Sequence, residues 1–233
     1  MDPVLGISGS KSKSDEATGY GASSGSLVSC TNSASKKSKV KAKLVENNEE
    51  EIEKMVASLM KKNADSEGET IIGFDAEYAI SYGRFLPSSG QKTRISHLIF
   101  TNGKRAYVVI LGSDSMLPEL LLWFILDPRY TFVSMGMKQH NDNLAQLYEA
   151  GCRNAVDLGE LASEVKGDPR LRNCGIHLLA KGIGLSETPR PSSFVCKKGF
   201  SRPHRRGINE DNMTRAVTNT WAYQKIGKIL LYG

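Results

Sequence analysis

The chain has 233 residues, 39% hydrophobic and 24% charged, with a formal net charge of +6 and a pI near 9.1. That composition suffices for one domain of roughly 150–190 residues plus a tail. Its longest strongly apolar stretch, Met116 to Leu126, falls well short of the roughly 20 residues a membrane span needs, and the first residues lack the apolar core of a signal peptide, so the expectation is a soluble protein of the nucleus or cytoplasm with no membrane partner. Cys30, Cys152, Cys174 and Cys196 form no Cys-x-x-Cys pair, which argues against a zinc site or a disulfide framework. The basic excess fits a polyanionic partner without establishing one.

Residues 1–45 are rich in Ser, Lys and Gly and almost free of aromatics, so they read as a disordered tail. Lys36, Lys37, Lys39, Lys41 and Lys43 cluster there; a nuclear address, a nucleic-acid contact and a solvated linker are all open readings. A short strand around Leu27 to Cys30 enters only if the domain edge extends backwards. The domain is read as residues 46–233. Glu49, Glu50 and Glu51 front an amphipathic helix carrying Ile52, Met55, Val56, Leu59 and Met60, closed by Lys61 and Lys62. The run Ile71-Ile72-Gly73-Phe74 then reads as a buried strand.

That strand ends in Asp75 and Glu77. Alternate strand residues share a face, so the two acids project together. Two such carboxylates repel unless a cation or a proton sits between them, and hard divalent metals are held by carboxylates of this kind.

A second strand, Ile95 to Phe100, meets the hairpin signal Asn102-Gly103 and returns as Ala106 to Leu111. Pro118 opens a helix to Leu126, broken by Asp127-Pro128. Tyr130 to Met135 is a buried strand, and a helix runs from Asn141 to Ala150. Ala155 to Leu158 is strand-like, Leu158 to Val165 and Ile176 to Ile183 are helical, and a basic loop spans Ser186 to Gly207. Asn209 caps a last helix reaching Tyr232. Strands first as a meander, then alternating with helices, make a mixed α/β fold.

This order of elements and motifs resembles the DEDD superfamily of 3'–5' exonucleases, in particular the DEDDy type with the Werner-syndrome exonuclease domain and its plant relatives, over residues 65–232. Gly73-Phe74-Asp75-Ala76-Glu77-Tyr78 is similar to that family's Gly-Phe-Asp-x-Glu-Trp. Phe132 to Met137 falls where its next strand is expected. Asn209-Glu210-Asp211-Asn212 is similar to its Thr-Glu-Asp-Gln helix start, and Lys225 to Leu231 to its tail.

The resemblance implies an RNase H-like sheet, antiparallel then parallel, flanked by helices. It also implies a centre of four carboxylates holding two Mg2+ or Mn2+ ions, one activating water and one stabilising the leaving oxygen. Asp75 and Glu77 match the first two acids. The family's second motif is Gly, a short loop, then Asp-x-x-x-Leu opening a helix. Alignment on Ala145-Gln146-Leu147 puts Asn143 at the acid, and alignment on charge puts Asp142 there as a third metal ligand. One helical step rotates a side chain by roughly 100°, so Asp142 reaches the metals only if the helix start is shifted. His140 reads as a surface histidine, and Trp221 and Tyr223 as core or interface residues. In the third motif, Arg215 stands at the family's tyrosine and Asn219 at its last aspartate. The two positions share a helical face with altered chemistry.

In the basic loop, Lys197, Lys198, Arg202, Arg205 and Arg206 with the interleaved Phe200 suit a single-strand groove, charge meeting phosphates and rings stacking on bases. The plain alternative is a solvated loop. The favoured reading is a nucleic-acid-binding exonuclease-family domain, DNA or RNA, with turnover weak or lost. The alternatives are an active Mg2+-dependent 3'–5' exonuclease and a protein-interaction module with no nucleic-acid role.

Overall fold

A computed structural model describes residues 41–60, 70–81, 92–111, 116–185, 195–196 and 210–233, all within one compact unit that begins at Lys37. The elements are β1 (Lys41–Val45), α1 (Glu49–Met60), β2 (Thr70–Ser81), β3 (Lys92–Thr101), β4 (Arg105–Ile110), α2 (Glu119–Leu126), β5 (Tyr130–Ser134), α3 (Met137–Tyr148), β6 (Ala155–Asp157), α4 (Leu158–Lys166), a 3-10 turn (Pro169–Asn173), α5 (Ile176–Gly182), β7 (Val195–Cys196) and α6 (Glu210–Tyr232). The expected strand at Leu27 to Cys30, the closing Lys61 and Lys62, and the loop carrying Lys197, Lys198, Phe200, Arg202, Arg205 and Arg206 lie outside the described residues.

The strands form one mixed sheet in the order β6-β5-β2-β3-β4-β1-β7. β2, β3 and β4 are the antiparallel meander; β5 and β6 extend it in parallel beyond β2, and β1 lies parallel to β4. The RNase H-like α/β expectation holds. Residues 41–45, assigned above to the tail, belong instead to the sheet. Lys41 and Lys43 are exposed while Ala42 and Val45 are buried: these two lysines of the basic cluster are on the outer face of a strand, and Lys36, Lys37 and Lys39 lie outside the described residues.

Helices cover both faces. On one, Ile52, Met55 and Leu59 of α1 and Leu121, Phe124 and Ile125 of α2 pack on Phe74, Phe100 and Phe132, whose rings meet edge to face or tilted. On the other, α6 buries Val217 and Trp221 near β3 and β4 and Ile226 and Leu230 near Ile71 and Val133. Trp221 and Tyr223 are buried, as expected of core residues. At Gly73 α6 comes close to β2: a Cβ there would lie 2.1 Å from the Thr220 carbonyl oxygen.

The helix α3 starts at Met137, four residues before the expected Asn141. Gly136, in the left-handed region at φ 69°, makes the tight exit from β5 that a side chain would resist. Among the described residues, no helix is long and apolar enough to cross a membrane.

Candidate functional site

Phe74 and Ala76 of β2 point into the core under α1 and α2. Gly73 faces α6, and by the two-residue period Asp75 and Glu77 face the same way. The parallel pairing with β5 ends at Gly73, so both acids stand at the carboxyl ends of the parallel strands, where open sheets form their clefts. Between Glu77 and Tyr78 the register with β3 slips by one residue. Ser96 is the extra residue, and its hydroxyl donates to the Glu77 carbonyl at 3.0 Å.

The early start of α3 brings His140 into this cleft. Its Nε2 lies 3.4 Å from Asp75 Oδ1, and its Nδ1 lies 3.0 Å from the Tyr78 hydroxyl. Its ring is parallel to Tyr78 and edge-on to Phe74. Asn143 Nδ2 donates to the Tyr78 oxygen at 3.0 Å. One consistent set of protons runs Asn143 to Tyr78, Tyr78 to His140 Nδ1, and His140 Nε2–H toward Asp75.

Burial, and then the charge of Glu77, push the Asp75 carboxyl up to about 7. Burial brings His140 down to about 4, against the pull of Asp157. The pair therefore holds one proton between about pH 4 and 7. Burial also raises Glu77, opposed by the charge of Arg215.

Two expectations are corrected. Asp142 is not in the site: its side chain is 64% exposed and pairs with Lys138 at 2.7 Å. His140 is not a surface residue: it is 12% exposed and touches Asp75. The spacing Asp-x-x-x-Leu contained the signal. Leu144 is fully buried and Leu147 is 42% exposed. Counted back from the leucine that enters the core, the acid position is His140; counted from Leu147, it is Asn143, which instead supports Tyr78.

On α6, Arg215, Asn219 and Tyr223 recur every four residues and form one stripe. Arg215 is exposed and acts on Glu77. Tyr223 is buried and its phenol is pushed upward, first by burial and then by Asp75, Glu77 and Asp157. Asn219 lies between them on the same stripe and is half-buried.

Asp157 is a residue the sequence reading passed over. Its Oδ2 accepts the Met137 N–H at 2.9 Å, and its Oδ1 accepts from Gly159 at 2.9 Å and Glu160 at 3.2 Å. It ties the starts of α3 and α4 together, and so positions His140. Its place just before Leu158-Gly159-Glu160 is an N-cap signal.

This donor set does not fit a pair of divalent cations. Mg2+ requires near-octahedral oxygen ligands. Here Asp75 is turned onto a histidine, Glu77 is offset by Arg215, and the amide of Asn219 carries no charge. A unit positive charge roughly 6 Å away costs an incoming cation about 3 kcal/mol per charge at an effective dielectric of about 20. Among the described residues, no group of three or more His, Cys, Asp or Glu could hold a metal ion.

No family model and no curated protein matches the chain. Solved structures do. Escherichia coli RNase D, described as an exoribonuclease involved in structured RNA processing, superposes with a TM-score of 0.56 at 11% identity, over 82% of this chain and 44% of its own. Trypanosoma brucei RNase D in complex with RNA U12 gives a TM-score of 0.56 at 14% identity, over 84% of this chain and 64% of its own. Brucella melitensis NrnC bound to pGG gives 0.53 at 11%, over 82% of this chain and 80% of its own. This chain thus spans less than half the length of the Escherichia coli protein. At these identities the likeness is one of fold: the chain has the α/β fold of these exonuclease structures.

Proposed function

We propose that this chain is a DEDDy-type, Werner-like 3'–5' exonuclease domain that has kept nucleic-acid binding and has little or no turnover, working in the nucleus or cytoplasm. The observation that carries the reading is the His140 ring set against Asp75 at 3.4 Å, at the position where the Asp-x-x-x-Leu spacing, counted back from the buried Leu144, would put an acid. With Arg215 and Asn219 on the facing helix, three positions of the implied centre are changed in one direction, toward less negative charge. Hydrolysis of a phosphodiester needs an activated water and a stabilised leaving oxygen. Among the described residues, no group in the cleft is disposed to provide both.

Binding is supported by the chemistry of the basic loop, where Lys197, Lys198, Arg202, Arg205 and Arg206 suit phosphates and Phe200 suits a base. The fold neighbours crystallised with RNA U12 and with pGG are consistent with a strand or nucleotide as ligand. The test is a 3'-labelled single strand incubated with the protein and Mg2+ or Mn2+. Retention of an intact strand is expected. Laddering that disappears in Asp75→Ala would overturn the loss of turnover. Retention indifferent to salt and to replacement of Lys197 and Arg202 would favour a protein-interaction module instead.

A further inference from the structure

We infer that the cleft takes a strand phosphate on Arg215 without a divalent cation, the guanidinium supplying the positive charge at the mouth of the site. The inference rests on the nucleic-acid reading above and adds to it the mode of binding and the residue responsible.

Two features of the geometry lead there. The first is that the Asp75 carboxylate is already engaged. Its Oδ1 accepts the Ala76 N–H at 2.9 Å and faces His140 at 3.4 Å. His140 is not a side chain that swings aside. Its far nitrogen is 3.0 Å from the Tyr78 hydroxyl, which Asn143 holds in turn, and its ring meets Phe74 edge-on. An ion seated at Asp75 would have to displace a packed ring and break this chain of contacts.

The second is the state of Arg215. It is exposed on the cleft stripe of α6, and its charge reaches Glu77. Yet among the described residues no carboxylate lies within the 4.0 Å of an ion pair with it. Its guanidinium is therefore not taken up by an ion pair with a described carboxylate. A guanidinium presents a planar fork that matches two phosphate oxygens and keeps its charge at every physiological pH. One turn along the same stripe, Asn219 places a neutral amide, with N–H donors, where a carboxylate would repel the phosphate. A positive fork and a neutral donor in succession suit a phosphodiester.

The test uses the full chain and a short 5'-fluorescein-labelled oligothymidylate, followed by anisotropy at matched ionic strength. One arm contains excess EDTA and the other Mg2+. The Kd is expected to agree within about twofold between the arms, and Arg215→Gln, at an exposed position, is expected to raise it about tenfold, the worth of one charge-assisted contact of roughly 1.4 kcal/mol. Stoichiometric Mn2+ uptake by the unaltered protein, read by electron paramagnetic resonance, is expected to be absent. Binding that requires Mg2+, stoichiometric Mn2+ uptake, or an Arg215→Gln variant of unchanged affinity would each overturn this inference and leave the nucleic-acid reading standing. Absence of binding in both arms would overturn that reading and this inference with it.

Discussion

His140 Nε2 sits 3.4 Å from Asp75 Oδ1, with both side chains largely withdrawn from solvent, and the two groups respond to pH in opposite senses. Asp75, raised from 3.8 to about 7, keeps a proton in the fold that the unfolded chain has lost, so its contribution to stability falls as pH climbs from about 4 to 7. His140, lowered from 6.5 to about 4, refuses a proton that the unfolded chain binds, so its contribution rises over nearly the same window and is complete above about pH 6.5. Each slope is about 1.4 kcal/mol per pH unit, and together they cancel. His140→Gln removes the rising one. Urea unfolding of that variant should lose roughly 3 kcal/mol relative to the unaltered chain between about pH 4.5 and 6.5. Parallel pH curves for the two proteins would refute the opposition.

Asp157 accepts three backbone N–H bonds, two at the start of α4 and one at the start of α3. Its truncation leaves a helix uncapped and the Met137 N–H unpaired. Asp157→Ala should cost about 2–4 kcal/mol in chemical denaturation, from the cap and the lost partner together. A loss below about 0.5 kcal/mol would mean that the two helix starts are held by something else.

Most of the sheet was legible because its strands obey simple rules. The meander followed from apolar runs around Asn102-Gly103, and the two-residue period placed Asp75 and Glu77 on one face. The misreadings have local physical causes. β1 was hidden because its outward positions are lysines, so composition spoke louder than alternation. The start of α3 was set too late because Gly136 turns the chain sharply and no polar side chain at 136 marks a cap. That error moved His140 out of the site and left Asp142 as the apparent acid. Asp142, like many charged residues on the outer face of a helix, pairs with the lysine one turn away. The stripe of Arg215 and Asn219 was readable from spacing alone, whereas the extension of that stripe to Tyr223 required knowing how α6 lies on β2.

The exposure of Asp142 has a direct consequence. Its pair with Lys138 is a solvent-exposed i,i+4 contact, of a kind that adds little to stability. Asp142→Ala should leave both stability and oligonucleotide affinity essentially unchanged. A marked change in either Mn2+ uptake or affinity would restore Asp142 to the site.

Gly73 governs how closely α6 approaches the sheet. A methyl group there would meet the Thr220 carbonyl at 2.1 Å and Thr101 Cγ2 at 2.8 Å, and the first of these is backbone that has no rotamer to escape into. Gly73→Ala should cost about 3 kcal/mol, at the upper end of ordinary overpacking, measured by equilibrium unfolding. It should also weaken oligonucleotide binding, because the helix it displaces carries Arg215 and Asn219. An Ala variant of unchanged stability would mean that α6 sits further from β2.

The three altered positions can be reversed together. His140→Asp replaces the ring against Asp75 by a carboxylate, Asn219→Asp adds a second negative charge on the facing helix, and Arg215→Tyr removes the opposing positive one. Relative to the unaltered cleft at neutral pH this is a change of three charge units toward negative, which favours a divalent cation strongly even at an effective dielectric of about 20. The triple variant should take up Mn2+ and gain thermal stability with it: at a Mn2+ concentration a hundredfold above Kd, the linked stabilisation is about 2.7 kcal/mol. Asn219→Asp alone should show little uptake, because the His140 ring and the Arg215 charge remain. A folded triple variant that ignores Mn2+ would mean that the cleft excludes cations by its shape, and that these three side chains are not the cause.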